Sequence, residues 1–284
     1  MNAPSTLHLD RPLSSLAAWT SHFSRQPIPV LAESAAAIQV LAERDAAGDD
    51  GVDAQLIVKG VGQDPLMALR ILSHIATQRS SRREVQVETI TEALVLMGVS
   101  PFFRAFSGLP VLETLLQDQA DALRGAQEVL RRGRRAGQFA LGFSVHRMDG
   151  DAHQVHQATQ LHDFAELLLW VHAPSLALRI QQLQQEHPGL RSAQAQRQVL
   201  GIELNDLQQA LMNEWRLPEL LIRLSDERHA SHPSVRSVLL AIRVARHSAH
   251  SWENPALPDD FLAVGDLLQL SSEHARHLLI ELDS

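Results

Sequence analysis

The stretch VRSVLLAIRVARHSAHSW (235–252) decides the fold class. Val235, Val238, Leu239, Ile242, Ala245, Ala249 and Trp252 return every three or four positions. That spacing lines side chains up on one face of a 3.6-residue turn, whereas a strand would alternate with period two. The same spacing appears in Leu204, Leu207, Leu211 and Trp215, and again in Leu161, Phe164, Leu167, Leu168 and Val171. Period-two runs are scarce and β-branched residues rarely cluster. The expectation is an all-α chain, a multi-helix bundle in two abutting helical lobes.

The breaks between helices are explicit. Pro27 and Pro29 stop a first helix near Phe23, because proline lacks the N–H that a continuing helix needs. AAGDDGVD (46–53) reads as a loop. Asp64-Pro65 opens the next helix, Asp64 as N-cap and Pro65 in the first turn. Gly98 followed by Ser100-Pro101 repeats the stop and start, and Gly108 to Pro110 closes the N-terminal part. Asp149, Gly150 and Asp151 interrupt the chain again, and Pro174, Pro188, Pro218, Pro233 and Pro258 punctuate the remainder. No internal repeat and no low-complexity linker is visible.

Composition narrows the classes of function. With 284 residues, 45% of them hydrophobic, the chain can bury a sizeable core. It has no Cys, which excludes disulfides, thiolate catalysis and Cys-ligated zinc. Its net charge of −8 argues against bulk nucleic-acid binding. No apolar run approaches the ~20 residues that span a bilayer, and MNAPSTLHLDRP (1–12) lacks the basic start and apolar stretch of a secretory leader. A cytoplasmic address is expected. Lys59 is the only Lys, so nearly all positive charge is Arg, and the 15 His are mostly scattered singly.

Four segments, in order, resemble the HDOD family, a branch of the HD phosphohydrolases with a degenerate site. They are PIPVLAESAAAIQVLAE (27–43), VGQDPLMALRILSHI (61–75), VETITEALVLMGVSPFFRAF (87–106) and LHDFAELLLW (161–170), the last followed by a helix ending at NEWRLPELL (213–221). The resemblance implies an N-terminal extension over 1–24 and an HDOD domain over 25–250, with a helical lobe at 25–112 and an HD-like lobe at 118–250. A C-terminal helical extension then occupies 251–284. It also implies a regulatory role in bacterial signalling through protein partners, often without catalysis.

An HD hydrolase needs a His on an earlier helix, an adjacent His-Asp pair and an Asp on a later helix to hold divalent ions that activate water on a phosphoester. The pair stands here as His162-Asp163. By the resemblance, the earlier His position falls in VLRRGRRAGQF (129–139), which contains no His, and Arg132 or a neighbour takes its place. The later Asp falls in VLLAIRVARHSAH (238–250), where Arg246 follows Ala245. Arg cannot ligate a metal and its charge repels one. His162-Asp163 is therefore read as a remnant whose carboxylate caps a helix, and no metal or other cofactor is expected. The competing reading is a metal-dependent HD-type phosphohydrolase with a rearranged site. His153 with His156, and His247 with His250, each pair at i, i+3, but no third ligand is fixed.

Two further features invite a partner. Arg131, Arg132, Arg134 and Arg135 could contact phosphates, those of a small ligand such as a nucleotide or those of a nucleic acid, against the default of a solvated helix face. Phe102, Phe103 and Phe106, with Arg104, could form an apolar, charge-flanked surface for a protein partner, against the default of simple core. Trp170, Trp215 and Trp252 occupy apolar helical positions and read as core. No phosphate-binding glycine loop and no nucleophile elbow is present.

Overall fold

The structure, a computed structural model, describes residues 8–78 and 87–283. Part of the opening stretch examined for a leader lies outside them. The elements in chain order are α1 (Leu16–Phe23), α2 (Ala32–Ala46), α3 (Ala54–Val61), α4 (Pro65–Gln78), α5 (Ile90–Met97), α6 (Val99–Ala105), the single turn α7 (Leu112–Leu115) and the long α8 (Ala120–Arg147). Then come α9 (Ala152–Leu161), α10 (Phe164–His172), α11 (Pro174–Glu186), α12 (Ser192–Leu200), α13 (Leu204–Glu214) and α14 (Glu219–Leu224). A short 3-10 turn precedes α15 (Pro233–His247), α16 (Leu257–Leu268) and α17 (Ser272–Leu282). Among the described residues β-pairing is limited to one isolated bridge, Val30 with Val111. The chain is all-α, as its periodicity predicts. Among the same residues, no helix is long and apolar enough to cross a membrane.

Two compact units interleave along the sequence. One draws on the chain up to Val129 and on Asp163–Leu217; the other on Leu130–His162 and on the chain from Pro218 onward. The chain changes unit inside α8, between His162 and Asp163, and at Pro218. Of these points only Pro218 carries proline or glycine punctuation in the sequence.

The first unit is organised by α10. Eight of its nine residues are buried, and a helix apolar on all sides belongs at the centre of a core. Trp170 lies against Gly125 of α8, where an added Cβ would stand 2.4 Å from the indole ring. Phe164 packs on Trp215, ring centroids 5.8 Å apart, and Phe23 of α1 meets His172 edge-on at 5.9 Å. The indole N–H of Trp19 donates to the Leu200 carbonyl at 3.2 Å, sealing α1 onto the end of α12.

Asp64 knits the N-terminal helices of this unit together. Its Oδ1 accepts from the Leu66 and Met67 amides at 2.9 and 3.1 Å, capping α4 as the sequence predicts. Its Oδ2 accepts from the Leu31 amide at 2.8 Å, at the start of α2. Ser34 also bonds the carboxylate. The side chain is 1% exposed. Burial pushes its pKa above the ordinary carboxylate value, while these hydrogen bonds pull it back. One buried group therefore satisfies orphan amides at two helix starts. The neighbouring pairing is backbone only: Val30 donates to Pro110 and accepts from Leu112, both at 2.9 Å.

In the second unit α9 packs on α14 and α15, and α15, α16 and α17 follow one another. Gly137 of α8 leaves room for α9: an added Cβ would meet Gln160 and His156 at 3.2 Å. Phe139, Trp252 and Phe261 form an aromatic row. Trp170 and Trp215 are buried, as their apolar spacing predicts, and Trp252 is half-buried.

Two stability outcomes follow from the first unit. Asp64→Ala should cost roughly 3 kcal/mol or more, since it strands several buried donors at once, and Asp64→Asn should cost less; urea unfolding checks both. Gly125→Ala should destabilise by about 1–3 kcal/mol through overpacking against Trp170, although alanine in a helix interior normally stabilises by ~1 kcal/mol.

Candidate functional site

His162 is the C-cap of α9 and is buried, and Asp163 is the N-cap of α10 and half-buried. The expectation that the Asp163 carboxylate caps α10 is corrected: it accepts no bond from the first-turn amides. The backbone holds the junction, with the Asp163 carbonyl accepting from Glu166 and Leu167 at 3.1 and 3.2 Å. Arg132 is half-buried on α8 and Arg246 lies on the exposed face of α15.

The donor set does not fit a divalent ion. Among the described residues no three His, Asp or Glu side chains are grouped to hold one. The spaced His pairs have other surroundings. His153 is exposed while His156 is half-buried, and burial holds the His156 pKa below the ordinary histidine value, with neighbouring His153 acting in the same direction. His247 Nδ1 sits 2.6 Å from Oδ2 of Asp260, whose Oδ1 accepts from Arg243 Nε at 2.5 Å. Asp260 is 1% exposed, so His247 and Arg243 together satisfy the two oxygens of a buried carboxylate at the start of α16. His250 is exposed.

The arginine run is not a uniform solvated face. Arg131 donates to the Ala249 carbonyl at 3.2 Å. Arg135 is largely buried and grips Asp283 through two bonds of 2.7 Å. These contacts bridge more than a hundred positions of sequence, and local patterning carries no sign of them.

The phenylalanine row follows the default of core. Phe102, Phe103 and Phe106 are buried at 0, 8 and 2% exposure, and only Arg104 of the four is exposed. The rings pack on one another, Phe102 to Phe103 at 5.4 Å and Phe102 to Phe106 at 5.0 Å, with His74 against Phe106. They fill core because α6 is only seven residues long and packs on α2 and α5. Yet Phe103 and Phe106 also form one wall of an open groove of about 510 Å³. The other wall is α2, through Ala35, Ile38, Gln39, Ala42, Glu43 and Ala46, and Ser107, Gly108 and Leu109 close the end. The alanines at 35, 42 and 46 keep the groove open, since they fall on one face of α2 with little side chain to fill it. Among the described lining residues Glu43 is the charged one.

A second histidine environment escaped the sequence reading. His172, at the end of α10, is 3% exposed and bonds the Pro27 carbonyl, while its Nε2 is buried with no hydrogen-bond partner among the described residues. Its carbonyl accepts from Leu9 at 2.9 Å, and Ser175 bonds Leu9 and Asp10. The chain at 9–10 is thus strapped across the α10–α11 corner. Burial lowers the His172 pKa to about 4, with His22 and His8 adding to the effect.

Residues 28–231 match the model of the HDOD domain. Among curated protein sequences none matches the chain. Of solved structures, the MmoQ response regulator of Methylococcus capsulatus is 19% identical with a TM-score of 0.61, covering 90% of this chain and 98% of its own. A virulence factor of Campylobacter jejuni is 16% identical with a TM-score of 0.63, covering 93% and 94%. At these identities the likeness is one of fold.

The buried imidazole sets a pH dependence. A histidine whose folded pKa lies below its unfolded value of 6.5 binds protons preferentially in the unfolded state, so stability is full above about 6.5 and drains away as pH falls towards 4. Between pH 7.5 and pH 5 the loss should be about 2 kcal/mol. In His172→Gln the same comparison by urea unfolding should be shallower by about that amount.

Proposed function

Because the chain belongs to the HDOD family, we propose that it is a non-catalytic signalling protein that works by binding another protein. The reading rests on residue type. Where the resemblance to the HD hydrolases puts the two ligands that flank the His162-Asp163 pair, this chain carries Arg132 or a neighbour and Arg246, and an arginine cannot ligate a cation and repels one. With no metal-bound hydroxide, phosphoester cleavage loses both its nucleophile and its charge neutralisation. The address consistent with this reading is the cytoplasm.

What supports binding is the groove between α2 and the Phe103–Leu109 segment. Its walls are apolar and largely preformed, the property that lets an amphipathic helix dock at small conformational cost. The partner's chemistry follows: an apolar stripe to lie on Ala42 and Phe103, and a basic side chain to meet Glu43. A phosphate-bearing ligand is the weaker fit, since Arg131 and Arg135 already spend donors on backbone and on Asp283.

Two measurements test this. The purified protein, loaded with Mn or Zn, should hold no stoichiometric metal and should not hydrolyse a chromogenic phosphodiester; turnover that disappears in His162→Ala would overturn the reading. In the native cell, Ala42→Glu and Ala46→Glu, at sites with space, should fold like wild type and lose a cross-linked protein partner that wild type recovers. Unchanged recovery would show the groove to be the wrong surface.

A further inference from the structure

In RRAGQFALG (134–142), Arg135, Phe139 and Gly142 recur at i, i+4 and i+7, which places them along one face of α8. The Arg135 fork is held ready from below and beside. Nη1 donates to the Ala245 carbonyl at 3.3 Å, Nη2 to Ser248 Oγ at 3.0 Å, and the guanidinium carbon stands 5.7 Å from the Phe139 ring centre. These contacts orient Nε and Nη2 as a pair, the geometry that takes a carboxylate through both oxygens. Two turns further on, Gly142 leaves a hollow: a Cβ there would lie 2.4 Å from Leu282 Cδ1 and 2.8 Å from Cδ2.

The occupant is the end of α17. Leu282 fills the hollow, and Asp283 binds the fork at 2.7 Å through each oxygen. The rest of α17 is secured separately. Ala275 and Leu279 are fully buried, and α17 packs extensively on α16. Helix ends fray at low cost, so the Leu282–Asp283 turn can leave its seat while the body of α17 stays on α16.

We propose that this face of α8 is a recognition seat for a leucine-acid helix end, and that Leu282–Asp283 is its resident competitor, an autoinhibitory contact within the chain. The seat is distinct from the α2 groove and goes beyond the reading proposed above. The occupant states the ligand chemistry: a branched aliphatic side chain directly before a carboxylate, at the end of a helix, supplied in trans by a partner protein. Being tethered, the resident turn holds a high effective concentration, so an incoming segment wins only when that turn is weakened or the partner is abundant.

The probe is a fluorescent peptide of the chain's own residues 274–284, HARHLLIELDS, titrated into full-length protein and read by anisotropy. The receiving variant carries Leu282→Ala and Asp283→Ala, with Asp283→Asn alone as a milder opening should the double variant unfold on circular dichroism. The opened protein should bind the peptide at least tenfold more tightly than wild type. Binding should fall at least tenfold when Arg135→Gln is added, or when the peptide carries Ala and Asn in place of its leucine-acid pair. A purely structural clamp would lower the melting temperature in these variants yet capture no peptide. Failure of the opened, folded protein to bind, or binding indifferent to Arg135→Gln, overturns the proposal.

Discussion

The N-terminal half of this molecule depends on a single buried carboxylate. Asp64 accepts from Leu31 on one side and from Leu66 and Met67 on the other, so the starts of α2 and α4 share one acceptor. Helix starts expose amides that must find partners when they are buried. One carboxylate with two oxygens meets that need for both helices and fixes their relative placement. Once α2 and α4 are joined in this way, α6 has a surface to pack on. The row Phe102, Phe103 and Phe106 then becomes a wall, and the small residues of α2 leave an open groove before it.

The second unit uses charge in a related way. Here carboxylates of the second unit, one buried and one half-buried, pair with arginine and histidine. Asp260 is met by Arg243 and His247, and Asp283 by Arg135. A buried carboxylate needs a compensating charge and directed hydrogen bonds. A cation can supply the charge, and so can a guanidinium, which adds the directed bonds as well. These pairs staple α15 to α16 and α8 to the end of α17.

Both candidate surfaces are places where a side chain is missing. The groove exists because Ala35, Ala42 and Ala46 leave α2 bare, and the seat on α8 exists because Gly142 has no Cβ. In a close-packed interior such gaps are filled by a neighbour. At Gly142 the neighbour is Leu282 of the same chain, and at the α2 groove no side chain among the described residues of the first unit fills the space.

The sequence by itself determined the all-α class, most helix starts and the family. These are local properties: three-to-four periodicity, proline and glycine stops, the Asp64-Pro65 cap and the order of four short segments. It also read Arg132 and Arg246 as chemically unfit for metal, since that depends on residue type. Tertiary structure alone decided the rest. It placed Asp163 at a helix start without making its carboxylate a cap. It placed the phenylalanine row in core with one groove-facing edge. It made the chain change unit between His162 and Asp163. It also tied Arg135 to Asp283 and His172 to Pro27, across 148 and 145 positions. Whether a side chain is buried, paired or exposed depends on which distant element lands on it, and periodicity within one helix does not specify that element.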